Sequence, residues 1–149
     1  MKKFFLIPVL SSILLLNLAS TCSSDDDSNP SSSQLIIQTQ NSIVSGSWRV
    51  TLFSEDGVVQ TSNYNGYNFT FNANATVEAT NGTTVRTGTW TTGTDDSTPK
   101  LILTFTATTG PFEEISEDWR IVSVTSSRIE LRHVSGGDGS IDLLTFQKN

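Results

Sequence analysis

"GSWRVTLF", residues 46–53, decides the fold. Trp48, Val50 and Leu52 alternate with Arg49 and Thr51. That period of two places one side of a strand in a core and the other in water. The pattern then recurs along the chain. "YNFTF" (67–71) puts Tyr67, Phe69 and Phe71 on one face, with Asn68 and Thr70 on the other. "TVEA" (76–79), "VRTGTW" (85–90), "LILTFTA" (101–107), "WRIVSV" (119–124), "RIELRHV" (128–134) and "IDLLTF" (141–146) continue it. β-Branched and aromatic residues dominate these runs, as half-buried strands require. No helical period is visible after Gly46.

Turn chemistry separates the strands. Asn81-Gly82 reads as a two-residue hairpin turn, and "NANA" (72–75), "GTDDSTP" (93–99), "TGP" (109–111), "TSS" (125–127) and "SGGDGS" (135–140) are rich in turn formers. Eight short strands joined by hairpin-length connections predict an all-β protein. The expected architecture is an antiparallel up-and-down eight-stranded barrel, whose closure removes exposed edges. Residues 34–44, "QLIIQTQNSIV", fit either a short helix or a strand across an open end of that barrel.

Gly46-Ser47-Trp48 resembles the G-x-W signature that opens the first strand of lipocalins. The closing "LLTFQKN" resembles the last strand of small lipocalin-like domains in bacterial surface lipoproteins. The likeness spans about residues 45–149 and implies a calycin-like barrel with Gly46 and Trp48 at its floor. Two positions depart from the family pattern. The loop that carries a T-D-Y-type motif in lipocalins reads "TSSR" here (125–128). The arginine that lipocalins stack over the tryptophan is replaced by Lys148, a point charge on a flexible stem and a poor substitute for a planar guanidinium.

The first 21 residues have the layout of a secretory signal. Lys2 and Lys3 precede the apolar run "FFLIPVLSSILLL" (4–16), and small residues follow. Pro8 and two serines interrupt the run, which is shorter than the roughly 20 apolar residues of a membrane span. Cys22 is the only cysteine. "LASTC" resembles a bacterial lipobox, although Leu18 lies one place early and Thr21 stands where a smaller residue is usual. The alternative, ordinary cleavage, would export an odd thiol prone to intermolecular pairing. "CSSDDD" in turn resembles the acidic signal that routes lipoproteins of the Bacteroidota to the cell surface, with Asp25, Asp26 and Asp27 as the signal; a solvated linker is the plainer reading. The expected location is therefore the outer membrane, facing outward, with the membrane as a partner through acyl chains on Cys22. Residues 22–33 have no apolar side chain after the cysteine and read as a flexible Ser/Asp tether. The domain then runs from 34 to 149.

Beyond Cys22, seven of the nine basic residues remain against all fifteen acidic ones, a net charge of −8. Such a domain is repelled by phosphate backbones, which argues against nucleic acid.

Few residues stand out as chemistry. Tyr64 and Tyr67, in the Asn-rich "SNYNGYN" (62–68), suit a glycan by ring stacking and amide hydrogen bonds. His133 shares parity with Ile129 and Leu131 and faces inward or lies at a strand end. With one histidine, a metal site is not expected, and no cofactor motif is present. Glu113, Glu114, Glu117 and Asp118 read as a solvated face, and "DGSID" (138–142) has only part of a calcium-loop spacing. Ser135 and Asp142 do not complete a nucleophilic relay with the histidine. Ser97, in Asp96-Ser97-Thr98, resembles an O-glycosylation site of exported Bacteroidota proteins. The expected function is non-catalytic: a barrel that binds a small apolar or glycan ligand, or else a structural or protein-interaction module whose barrel is filled by its own side chains.

Overall fold

The computed structural model describes residues 29–137 and 139–149. The signal segment, Cys22 and Asp25–Asp27 lie outside the described residues, as does Asp138 of the calcium-like stretch.

Eight antiparallel strands close a barrel: β1 (Trp48–Glu55), β3 (Asn68–Phe71), β4 (Thr76–Thr80), β5 (Val85–Asp95), β6 (Thr98–Phe105), β7 (Asp118–Val124), β8 (Arg128–Val134) and β9 (Ile141–Lys148). Each pairs with its successor, and β9 returns to β1 from Trp48↔Lys148 to Ser54↔Leu143. On its other edge β1 meets β3 at Trp48↔Phe69. The eight strands read from the sequence are all present. A ninth, β2 (Val58–Val59), folds back onto the end of β1. Its turn is Asp56-Gly57, with φ of 45° and 76°, the two positive values of a type I′ hairpin.

Alternation fills the barrel. On β6, Leu101, Leu103 and Phe105 are buried while Lys100, Ile102 and Thr104 face outward. Trp48, Phe53, Phe69, Phe71, Trp119 and Phe146 are at most 1% exposed. Burying each such phenylalanine ring stabilises the fold by about 1.5–3 kcal/mol. Apolar residues inside and polar residues outside are the reverse of a lipid-embedded barrel.

One end is covered by α1 (Ser32–Ile43). Ser31 caps it: its hydroxyl accepts from the Gln34 amide at 3.3 Å, and the Gln34 side chain accepts from the Ser31 amide at 2.8 Å. This reciprocal pair satisfies two orphan donors and settles the ambiguous segment as a helix. Leu35, Thr39 and Ile43, spaced by four, form its buried stripe. The helix packs on β5, β6 and β7, and the Ser32 hydroxyl reaches the Ser97 carbonyl at 2.6 Å. Ser32 and Ser33, which the sequence places in the tether, thus belong to the folded domain.

The other end is covered by the twelve-residue connection from β6 to β7, longer than the hairpins expected throughout. It carries a short helix, α2 (Pro111–Glu114), entered from Gly110 at φ 76°. Because α1 sits at the Ser97 end of β6 and α2 follows its Phe105 end, the two helices close opposite mouths. A single-turn 3-10 helix, Thr61–Tyr64, lies beside α2. Elements of four residues leave no periodic trace, which is why the sequence showed only strands here.

The turn at Asn81-Gly82 is displaced by one residue from its expected position. The Asn81 amide donates to the Thr84 carbonyl at 3.2 Å, so Gly82 and Thr83 are the central pair. The Asn81 side-chain oxygen accepts from the amides of Thr83 and Thr84.

Candidate functional site

Gly46 and Trp48 lie where α1 meets the start of β1. Trp48 is fully buried, and its indole N–H donates to the Ile43 carbonyl at 2.9 Å, tying barrel to helix. Gly46 has φ 77°, a conformation costly for a side chain. Lys148 lies over the Trp48 ring, its ammonium 5.7 Å from the centroid.

Tyr64 departs from the glycan-contact expectation. Tyr64 is 2% exposed. Its ring meets Phe53 edge-on at 5.3 Å and its hydroxyl donates to the Pro111 carbonyl. Burial pushes its phenol far above the usual range, and the charges of Glu114 and Glu55 push the same way. Tyr67 is half-buried against Phe112, centroids 5.0 Å apart. Phe112 also meets Phe105 at 5.0 Å and stacks on Phe69 at 6.0 Å. Both tyrosines belong to an aromatic plug in the mouth, and Tyr64 has no face left for a sugar. Burial, then Glu55 and Glu113, raise the pKa of Glu114 at the rim of that plug.

Ser97 is exposed at the tip of the β5–β6 hairpin. Asp96 and Ser97 have φ of 44° and 64° between the paired Asp95 and Thr98, a type I′ turn built without glycine.

His133, near the end of β8, is brought to Glu117 and Asp118 at the start of β7. Its Nδ1 is 3.3 Å from an Asp118 carboxylate oxygen and its Nε2 is 4.0 Å from Glu117. The ring meets Trp119 at 6.0 Å. One ligand atom from each of the three polar residues lies within 4.8 Å of the others. On distance alone they could share a divalent cation, but the Lys100 ammonium already holds Asp118 at 3.0 Å. His133 is distant from Glu117 and Asp118 in the sequence, and only the β7–β8 register, with Arg120 opposite Arg132, joins them.

The same register reveals a feature the sequence reading missed. Lys100 pairs with Arg120 and Arg120 with Arg132 on the outer face of three neighbouring strands. They line an open groove of about 400 Å³ that also takes in Asp118, His133 and the Asp95–Asp96 turn. A second, more apolar groove of about 340 Å³ lies between α1 and β5, lined by Gln40, Val44, Ala73, Ala75 and Trp90.

No protein-family model matches the chain, and no curated protein does. Among solved structures, the fold is similar to that of a DUF4847 family protein from Bacteroides vulgatus. The TM-score is 0.50 at 17% identity, over 74% of this chain and 97% of the other. At that identity the likeness concerns the barrel alone.

Proposed function

We propose that this chain is a surface lipoprotein of the outer membrane whose barrel is a self-filled, non-catalytic scaffold that recognises its partners on the outside. The observation that carries this reading is the interior itself. Six aromatic side chains at most 1% exposed occupy the space where a carrier barrel holds its ligand, and both mouths are covered. An eight-stranded barrel is just wide enough to be filled this way. The contacts of His133 are two carboxylates and an indole, none of them a nucleophile that an imidazole could activate. Support for the anchor comes from the N-terminal sequence: signal, Cys22 and the aspartates after it. The structural neighbour comes from a Bacteroides, within the group whose export signal that stretch resembles.

A small apolar ligand or a glycan would have to bind outside; a groove of about 620 Å³ over β4, β5 and β6, lined by Val77, Gly88 and Phe105 among threonines, offers one place and the groove beside Trp90 another. Both volumes lie within the range of ligand pockets, the one beside Trp90 at its low end.

Native mass spectrometry of the protein purified from its own envelope tests the scaffold. A bare polypeptide mass is expected, and a discrete cargo lost on denaturation would overturn the reading. The anchor is tested by the mass of the N-terminal peptide, which should carry acyl chains on Cys22. Cys22→Ala should release the protein from membranes. Replacing Asp25, Asp26 and Asp27 by Ala should shield it from protease added to whole cells.

A further inference from the structure

We infer that the outer face of β6, β7 and β8 is a binding site for a compact oxyanion of two or more negative charges, a phosphoryl or sulfuryl group, held by Arg120 and Arg132. The inference deepens the reading that partners meet the outside of the barrel, and it rests on that reading for its biological sense.

Lys100, Arg120 and Arg132 stand directly opposite one another across two strand pairs. Like charges so placed destabilise a sheet. Three of the seven cations beyond Cys22 are gathered in this one row, in a domain (34–149) that carries twelve acidic residues against those seven. Only Lys100 has an ionic partner, Asp118. Among the described residues, neither arginine side chain takes part in an ion pair or a hydrogen bond. The row therefore holds two unspent guanidinium forks side by side. A fork presents parallel N–H donors that match the oxygens of a phosphoryl or sulfuryl group. Arg120 also borders the first turn of α1, where the positive end of the helix dipole adds to the field.

Scale selects a compact ligand. Neighbouring strands lie about 4.8 Å apart, so the row spans about 10 Å. Fields are screened over about 8 Å at physiological ionic strength. Three carboxylates, Asp95, Asp96 and Asp118, line the same groove, so a dianion must seat directly between Arg120 and Arg132, and an extended polyanion, which meets the acidic surface around it as well, is repelled.

The test is thermal unfolding and isothermal titration of the full protein with inorganic phosphate, inorganic sulfate and glucose 6-phosphate, against sodium chloride at matched ionic strength. Saturable binding with a Kd of about 1 mM or tighter is expected, with a rise in Tm beyond that given by chloride. Arg120→Gln/Arg132→Gln should unfold at the same or a higher temperature than the parent, since it removes the repulsion, and should bind at least about tenfold more weakly. Arg49→Gln, which removes a cation from β1, should bind like the parent. Tighter binding of glucose 6-phosphate than of phosphate assigns the site to a phosphorylated saccharide; equal binding assigns it to the free ion. A shift fully reproduced by chloride, or retained in the double variant, overturns the inference. A cargo found inside the barrel would overturn the scaffold reading and leave this titration unaffected, so the two failures are distinguishable.

Discussion

The ammonium of Lys148 stands 5.7 Å above the centre of the Trp48 ring. It also donates to the Ser45 hydroxyl at 3.1 Å. The two ends of the barrel sequence thus meet at one point, where the last strand pairs with the first at Trp48↔Lys148. Gly46 completes the arrangement. A Cβ there would lie 3.0 Å from the Lys148 stem, on a backbone at φ 77°.

Lys148→Ala should therefore cost about 0.5–1 kcal/mol, the range of a cation–π contact whose ammonium stays in water. Gly46→Ala should cost more than about 1 kcal/mol, because it strains the backbone as well as crowding the lysine. Urea unfolding at neutral pH measures both. If the glycine variant proves the milder one, the lysine contact and not the backbone governs this corner.

The aromatic plug gives a second expectation. Tyr64→Phe keeps the ring against Phe53 and Phe112 but leaves the Pro111 carbonyl without its donor. A loss of about 1–3 kcal/mol follows. The pH dependence has a definite sign. The folded phenol titrates well above its ordinary value of 10.0, so the stability it contributes is present below pH 10 and is lost as the pH rises and the unfolded chain ionises. Denaturation across the alkaline range should show the parent losing stability more steeply than the phenylalanine variant. Parallel curves would mean that Tyr64 ionises freely in the fold.

The strands were legible because most repeat a two-residue period, as "LILTF" does; β1 breaks it at a bulge between Val50 and Leu52, so that Phe53 and not Leu52 is buried. Closure of the barrel was legible from their number and from the short connections. What escaped the sequence was of two kinds. Some signals are local and readable: Asp56-Gly57 marks the β1–β2 hairpin, and Ser31-x-x-Gln34 marks the start of α1. Others depend on register. Tyr64 and Tyr67 look like exposed loop aromatics until α2 brings Phe112 to them. Lys100, Arg120 and Arg132 are ordinary strand cations until pairing sets them in a row. A long-range register is not written in any window of sequence, so the candidate site was the least legible part.

Glu130 offers a test in acid. The Ser123 hydroxyl donates to its carboxylate at 2.7 Å, and the Arg128 side chain does so at 2.7 Å. Those bonds, the serine's first, hold its pKa below the ordinary 4.5 against the opposing effect of burial. The stability they supply is present above pH 4.5 and fades as the pH falls through the lower folded value. Glu130→Gln should be less stable than the parent at neutral pH, by a modest amount because the pair is largely solvated, and the two should converge in acid. A constant difference from pH 7 down to pH 3 would remove the carboxylate from the account.

Gly88 tests how the sheet turns the corner of the barrel. It pairs with Phe105 across β5 and β6. A Cβ there would lie 2.8 Å from the Phe105 Cα and against the Thr104 carbonyl. Those neighbours are backbone atoms and cannot rotate away, so Gly88→Ala must push the two strands apart. Overpacking of this kind costs about 1–3 kcal/mol. Gly93, in the same strand, has open space at its Cβ position, and Gly93→Ala should be neutral or stabilising by up to about 1 kcal/mol through the unfolded chain. Side-by-side thermal melts decide the matter. Equal effects at the two glycines would mean that only backbone entropy is at stake, whereas a loss confined to Gly88 makes the close approach of β5 and β6 the reason for that glycine.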